Sequence, residues 1–372
     1  MFAHLIGRPK SELDTPALTV DLDAFERNVD EAAAFLKSKN KQWRPHAKCH
    51  KSPVIAHRIL RAGGIGVTCA KVSEAEVFAQ AGVRDILIAN MIVGEQKLER
   101  VASLTRWADP IVAVDHFVQA EALASVCRRR GTECRVILEM NIGMNRVGIR
   151  PGIDTRELAQ GVARLSGIRL VGIMGYVGLL LTIADSEEKR QKVRSAIAIL
   201  EETRDMMRKD GIECSIVSAG GTGSLEMTAN CDAPTELQSG AVIFADPFYF
   251  DKCGLTGYTP ALRLLATVVS RGKLERGILD CGRKSLHPDI HPPKLVGTVA
   301  GRPLSDATIV GLSAEHTTLE LGPQSQDLQI GDKVELIPGY CDFTMILHRA
   351  LFGLRKGVVE TVWPIPGRGC LQ

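Results

Sequence analysis

The stretch "WRPHAKCHKSP", Trp43 to Pro53, sets Arg44, His46, Lys48, His50 and Lys51 within eight positions. A lysine held among other cations has its amine pKa lowered and its nucleophilicity raised, which suits attack on a carbonyl to form a Schiff base. On spacing alone a solvated basic loop reads equally well. The deciding partners lie elsewhere in the chain.

"SAGGTGS" (218–224) supplies Gly220, Gly221, Thr222, Gly223 and Ser224 in succession. Bare backbone N–H groups flanked by two hydroxyls form a nest suited to one phosphate. No Gly-Lys-Ser/Thr follows, which disfavours a nucleoside triphosphate. In "QSGAVIF", Gly240 and Ala241 add two further backbone donors. A glycine run alone is weak evidence, because many such runs are only tight turns.

The elements that must position these residues show a clear rhythm. Short runs at 42–48, 64–70, 85–90, 111–115, 135–141, 170–176, 214–221 and 234–240, most of them apolar or β-branched, alternate with amphipathic segments such as 73–82 and 187–211. Strand alternating with helix eight times predicts a parallel sheet closed into a (β/α)8 TIM-type barrel over 24–245. An open doubly wound sheet is the alternative, but no G-x-G-x-x-G follows an early strand. Beyond 245 the runs "RLLATVVSR", "RGILDCG", "ATIVGLS", "TTLELG", "DKVELIP" and "GVVETVWPI" are separated by turn residues without long helices. They predict an all-β domain over 246–372, joined by residues 1–23 through "ALTVDL" (17–22).

In such a barrel the chemistry gathers at the carboxyl ends of the strands, and phosphate sites recur after the seventh and eighth. Lys48 ends the first strand, and the glycine nest ends the seventh. A lysine facing a monophosphate nest across a barrel mouth points to pyridoxal 5'-phosphate (PLP), an electron sink that takes an amine substrate.

Composition narrows the class. Lys+Arg 46 against Asp+Glu 43 leaves +3, so no nucleic-acid or other polyanionic partner is expected. No apolar run approaches the ~18 residues of a membrane span, and "MFAHLIGRPKSELD" does not read as a signal peptide. The ten scattered cysteines form no C-x-x-C pair and read as reduced thiols of a cytoplasmic protein.

The ordered set "DTPALTVDLDAFERNV", "RPHAKCHKSP", "KVSEAEVFAQAGVRDILIAN", "SAGGTGS", "TELQSG" and "PGYCDFTMILH" resembles the D-threonine aldolase and D-serine dehydratase family. These are fold-type III PLP enzymes with an alanine-racemase-like barrel and a C-terminal β domain. The resemblance implies Lys48 as the Schiff-base lysine, with Gly221, Thr222, Gly240 and Ala241 at the phosphate. It implies Tyr249 and Tyr176 beside the cofactor, Arg146 near its phenolic oxygen, and His316 as a catalytic candidate. It also implies an amino-acid substrate and a homodimer in which each β domain covers the partner's barrel mouth. The activity expected is retro-aldol cleavage of β-hydroxy D-amino acids to glycine and an aldehyde. Dehydration, or racemisation with Lys48 and Tyr340 as two bases, are the alternatives.

Three departures qualify that expectation. The family's divalent metal is usually held by a "PGHxD"-like turn, but this chain has "PGYCD", keeping Asp342 and placing Tyr340 where the histidine stands. Where aldolase relatives carry a histidine after Y-x-G, residues Leu179 to Thr182 are non-basic. Ala70 replaces a cofactor-contacting glutamine. Asp342 is therefore the one metal ligand expected, and the metal itself is uncertain. Tyr340, beside a carboxylate, is expected to stay neutral and to act as an acid-base group or substrate contact. His287, His291 and His348 read as structural, as do Asp185, Glu236 and Asp246.

Overall fold

The structure is a computed structural model that describes residues 2–184 and 186–372, so Asp185 lies outside the described residues. Two sheets organise the chain. Among the described residues the first has eight strands and the second nine.

The chain enters the second sheet first. β1 (Ala17–Asp21) is followed directly by α1 (Leu22–Ser38), capped by Asp21, whose carboxylate accepts from the Ala24 amide at 3.0 Å. The barrel strands follow: β2 (Gln42–Trp43), β3 (Val67–Cys69), β4 (Asp85–Ile88), β5 (Asp109–Val114), β6 (Cys134–Glu139), β7 (Ile168–Gly175), β8 (Ile216–Ala219) and β9 (Glu236–Leu237). Each falls within or against one of the eight runs expected from the sequence. All pair in parallel, in the order β2-β9-β8-β7-β6-β5-β4-β3. The circle closes where residues 43–46 bond both neighbours. Arg44 N donates to Leu237 O, and Thr68 N to Pro45 O.

Between the strands run α2 (Pro53–Arg61), α3 (Val72–Gln80), α4 (Glu95–Leu104), α5 (Phe117–Arg130), α6 (Ile153–Ala163), α7 (Ser186–Lys209) and the short α8 (Leu225–Ala229). Residues two apart on a strand share a face. Leu87, Ile111, Ala113, Ile137, Val171 and Met174 accordingly fill the barrel interior, while the alternate residues pack under the helices.

After α9 (Pro247–Cys253), β10 (Leu262–Lys273) begins the β-rich half, with β11 (Arg276–Leu279), β12 (Lys294–Thr298), β13 (Ala307–Leu312), β14 (Thr317–Leu321), β15 (Lys333–Ile337), α10 (Cys341–Met345), β16 (Ala350–Arg355) and β17 (Val358–Pro364). β1 pairs antiparallel with β10 and parallel with β16, which ties the start of the chain to this sheet. The expected strands omit β12 and β16. "KLVGT" is short and follows three prolines, and "ALFGLR" carries a central glycine, so neither stands out by pattern. No helix among the described residues is long and apolar enough to cross a membrane.

Candidate active site

The segment after β2 turns sharply. Trp43 Nε1 donates to Ser239 O at 2.8 Å and His46 N to Gln238 O at 3.0 Å, fixing this strand against β9. His46 then caps the turn Ala47–Cys49 by accepting from the Lys48 amide at 3.3 Å. That turn delivers the Lys48 side chain into a cavity of about 460 Å³ at the carboxyl ends of the strands. Gly221, Thr222, Gly240, Ala241, Tyr176, Tyr249, Arg146 and Asp342 line the same cavity.

Arg44 does not accompany them. Strand alternation sends its guanidinium away from the mouth, where it donates to Glu236 at 3.0 Å and to Asp85 at 3.0 Å. His46 contributes little positive charge, since burial and Lys48 hold its imidazole pKa well below the ordinary value. The expected lowering of the Lys48 amine therefore does not occur. Its Nζ meets Asp342 Oδ2 at 2.9 Å, and this carboxylate raises the amine pKa against the opposing effect of burial.

Asp342 comes from α10, delivered by the "PGYCD" turn. The turn passes directly into a helix start, with Tyr340, itself extended, as the N-cap residue. Both side chains converge: the Tyr340 hydroxyl donates to Asp342 Oδ2 at 3.2 Å. Burial, then the Asp342 carboxylate, raises the Tyr340 phenol pKa, so it is a neutral donor at ordinary pH. Its ring packs against Phe248 and Phe343 at centroid distances of 5.3 and 5.4 Å. Asp246 anchors the turn by accepting from the Cys341 amide at 2.9 Å.

The glycines explain why the cradle needs them. A Cβ on Gly240 would stand 2.2 Å from His46 O, and one on Gly221 3.1 Å from the Tyr176 ring. Gly220 adopts φ +74°, a backbone state that side chains rarely take. Together with Thr222 these positions leave bare backbone facing the cavity, in reach of a small anion. Arg146 lies over the Tyr176 ring at 5.5 Å. A lysine amine, a glycine cradle and an arginine around one cavity fit PLP.

A divalent metal fits less well. The Asp342 carboxylate is engaged by Lys48, Tyr340 offers a neutral phenol, and burial raises the Cys341 thiol pKa well above its ordinary value. Among the described residues no group of three or more His, Cys, Asp or Glu side chains is arranged to hold one.

His316 stands apart from the other expected residues. It is exposed in the connection between β13 and β14, with its amide bonded to Ser313 Oγ at 3.2 Å, and it does not line the cavity. His291 pairs with Asp251 at 3.1 Å, and His348 bonds Ser285 O. Asn90, Met174 and Gln238 also line the cavity, and the buried Glu139 pairs in register with Met174, though none of the four stood out in the sequence. The available signal was strand alternation: Glu139 shares a face with Ile137 in an otherwise apolar run.

The alanine racemase N-terminal domain family matches residues 20–246, and a serine dehydratase domain family matches 261–354. The chain is 34% identical to a D-threonine aldolase of Arthrobacter sp., over 98% of this chain and 95% of the relative. It is 33% identical, with the same coverages, to a 3-hydroxy-D-aspartate aldolase of Paracoccus denitrificans. The crystal structure of D-threonine aldolase from Filomicrobium marinum superposes with a TM-score of 0.93 at 36% identity, covering 99% of this chain and 98% of that one. With matches spanning both halves and a lysine-and-glycine cavity between them, the chain belongs to the D-threonine aldolase and D-serine dehydratase family of alanine-racemase-like proteins.

Proposed function

We propose that this protein is a PLP-dependent lyase that cleaves β-hydroxy D-amino acids between Cα and Cβ, yielding glycine and an aldehyde. The observation that carries the reading is that Lys48 and the glycine cradle line one cavity, in a chain similar to aldolases over nearly its whole length.

When bound, PLP supplies an electron sink that stabilises the pair left on Cα. Lys48 provides the amine that joins its carbonyl. Gly221, Thr222, Gly240 and Ala241 would hold the phosphate through backbone N–H groups and one hydroxyl. Arg146 would serve the phenolic oxygen, with Tyr176 and Tyr249 beside the ring.

Retro-aldol cleavage requires removal of the proton from the β-hydroxyl. Tyr340 and Asp342 form a relay for it: the phenolic oxygen takes the substrate proton while passing its own to Asp342 Oδ2, 3.2 Å away. This route uses side chains already in place and asks nothing of a metal. Asp342 also balances the Lys48 ammonium whenever that amine is free.

The working form is a homodimer in the cytoplasm. Ile290, Val296 and Val310 are 44%, 41% and 57% exposed on the β-rich half, apolar surface of the kind that a second copy covers. All ten cysteines are free thiols, consistent with a reducing compartment. A single-chain mass in solution at micromolar concentration would count against the dimer.

The test is a panel of β-hydroxy D-amino acids and their L-isomers, with and without EDTA, assayed for aldehyde, keto acid and enantiomer ratio. Aldehyde with stoichiometric glycine from the D-isomers supports the reading. Keto acid with ammonia would instead establish dehydration, and solvent deuterium at Cα without carbon–carbon cleavage would establish racemisation.

A further inference from the structure

Glu139, the last residue of β6, is 3% exposed. It pairs in register with Met174, which lines the cavity, and shares a strand face with Ile137 in the barrel interior. Its Oε2 is buried with no hydrogen-bond partner among the described residues. Its Oε1 lies 3.9 Å from Arg146 Nη2. A buried carboxylate with one free oxygen is costly, so its retention on an apolar strand face calls for a use.

The groups facing it are few. From the loop after β6 comes Arg146, from the end of β5 comes Asp115, and from β7 the apolar Met174. Asp115 is already committed, accepting from the Gly148 amide and the Gln119 side chain at 2.8 Å each. Arg146 is 55% exposed, held by this distant contact and by the Tyr176 ring. A long side chain so placed keeps much of its rotamer freedom, which a bond to the ligand must overcome.

We propose that Glu139 is a positioning residue of the site: its carboxylate steadies the Arg146 guanidinium over Tyr176, in the orientation that meets the cofactor's phenolic oxygen. The inference rests on the reading of Arg146 as a cofactor contact. It also has a pH signature. Burial chiefly, with Asp115 adding, pushes the Glu139 carboxyl up to about 7, while Arg146 opposes the shift. The carboxylate is therefore present above that pH and lost below it, and the support for Arg146 follows.

The test measures the dissociation constant of PLP by absorbance titration of the apoprotein, at about pH 6 and about pH 8.5. It compares the native chain, Glu139→Gln, Arg146→Ala and the double variant. At the higher pH, Glu139→Gln is expected to weaken binding about three- to tenfold, and the double variant to bind no worse than Arg146→Ala within about twofold. The native chain should lose affinity toward the lower pH by more than Glu139→Gln does. Equal affinities of Glu139→Gln and the native chain at both pH values, or additive losses in the double variant, would overturn the inference. Arg146→Ala binding like the native chain would instead overturn the cofactor-contact reading, and this inference with it. Should Glu139→Gln not fold, Glu139→Asp retracts the charge by one methylene, and undiminished affinity there would equally contradict the proposal.

Discussion

Lys48 Nζ and Asp342 Oδ2 stand 2.9 Å apart, joining a turn of the barrel to a helix of the β-rich half. The pair sets the charge state of the amine on which the proposed chemistry depends. Because the carboxylate raises the Lys48 pKa, the ammonium persists to higher pH than it would alone. Asp342→Asn removes that support. The pH at half-maximal rate of PLP uptake by the apoprotein is expected to fall by about one unit or more. An unchanged pH profile would mean that the contact does not govern the amine.

Tyr340 stands where the family resemblance leads one to expect a histidine. Turnover is expected to stay within about twofold when EDTA is added, since the donors around Asp342 suit a metal poorly. Tyr340→Phe removes the relay and should lower kcat by about 10²-fold with little change in cofactor affinity. Tyr340→His should create metal-stimulated turnover. Full activity of Tyr340→Phe would reduce the residue to packing.

Gly240→Ala places a methyl 2.2 Å from the His46 carbonyl, a backbone atom that cannot rotate away. It should cost about 1–3 kcal/mol by overpacking and weaken PLP binding. Gly221→Ala meets only the edge of the Tyr176 ring at 3.1 Å and should cost less. Thermal melts and cofactor titrations of the two variants check the order.

Asp246 is 1% exposed, and burial pushes its carboxyl up to about 7 from an ordinary 3.8. The folded state thus binds a proton that the unfolded chain has lost, so this group's stabilising contribution falls as pH rises from 3.8 to about 7. Asp246→Asn keeps an acceptor for the Cys341 amide and removes the titration. Denaturant unfolding at several pH values should show the variant gaining on the native chain across that window, then holding a constant difference. Parallel stability curves would contradict the assignment.

Arg44 belongs to the framework. It is 1% exposed, between Glu236 and Asp85. Glu236→Gln leaves a buried guanidinium with less counter-charge and should cost about 3 kcal/mol, the low end for a broken buried pair because Asp85 remains. Denaturant midpoints with an unchanged slope would measure it.

The barrel was legible because most of its strands are short apolar runs bounded by turns, although β2 (Gln42–Trp43) and β9 (Glu236–Leu237) are not, and the glycine cradle because backbone approach demands that residue type. Lys48 followed from its place just beyond the first barrel strand, although the strand ends at Trp43 and a turn at Ala47–Cys49 carries the lysine. Side-chain direction was harder. Arg44 and Lys48 are four residues apart in one basic stretch, yet one turns to the framework and the other to the mouth. The turn at His46 that separates them depends on hydrogen bonds to Gln238 and Ser239, remote in sequence. The same remoteness hid Asp342 as the partner of Lys48, and with it the direction of the amine's shift. His316 carried only a family likeness, and its exposed place between two strands could not be read from "AEHTTLEL".

Everything in this chemistry turns on Lys48 as the residue that joins the cofactor. Borohydride reduction of the PLP-loaded protein, followed by peptide mass mapping, tests it most directly. One phosphopyridoxyl group per chain is expected, on the peptide containing Lys48, and none on Lys48→Ala, whose melting temperature should fall because Asp342 loses its counter-charge but whose circular dichroism should stay native. A label on another lysine, or one retained by Lys48→Ala, would contradict it.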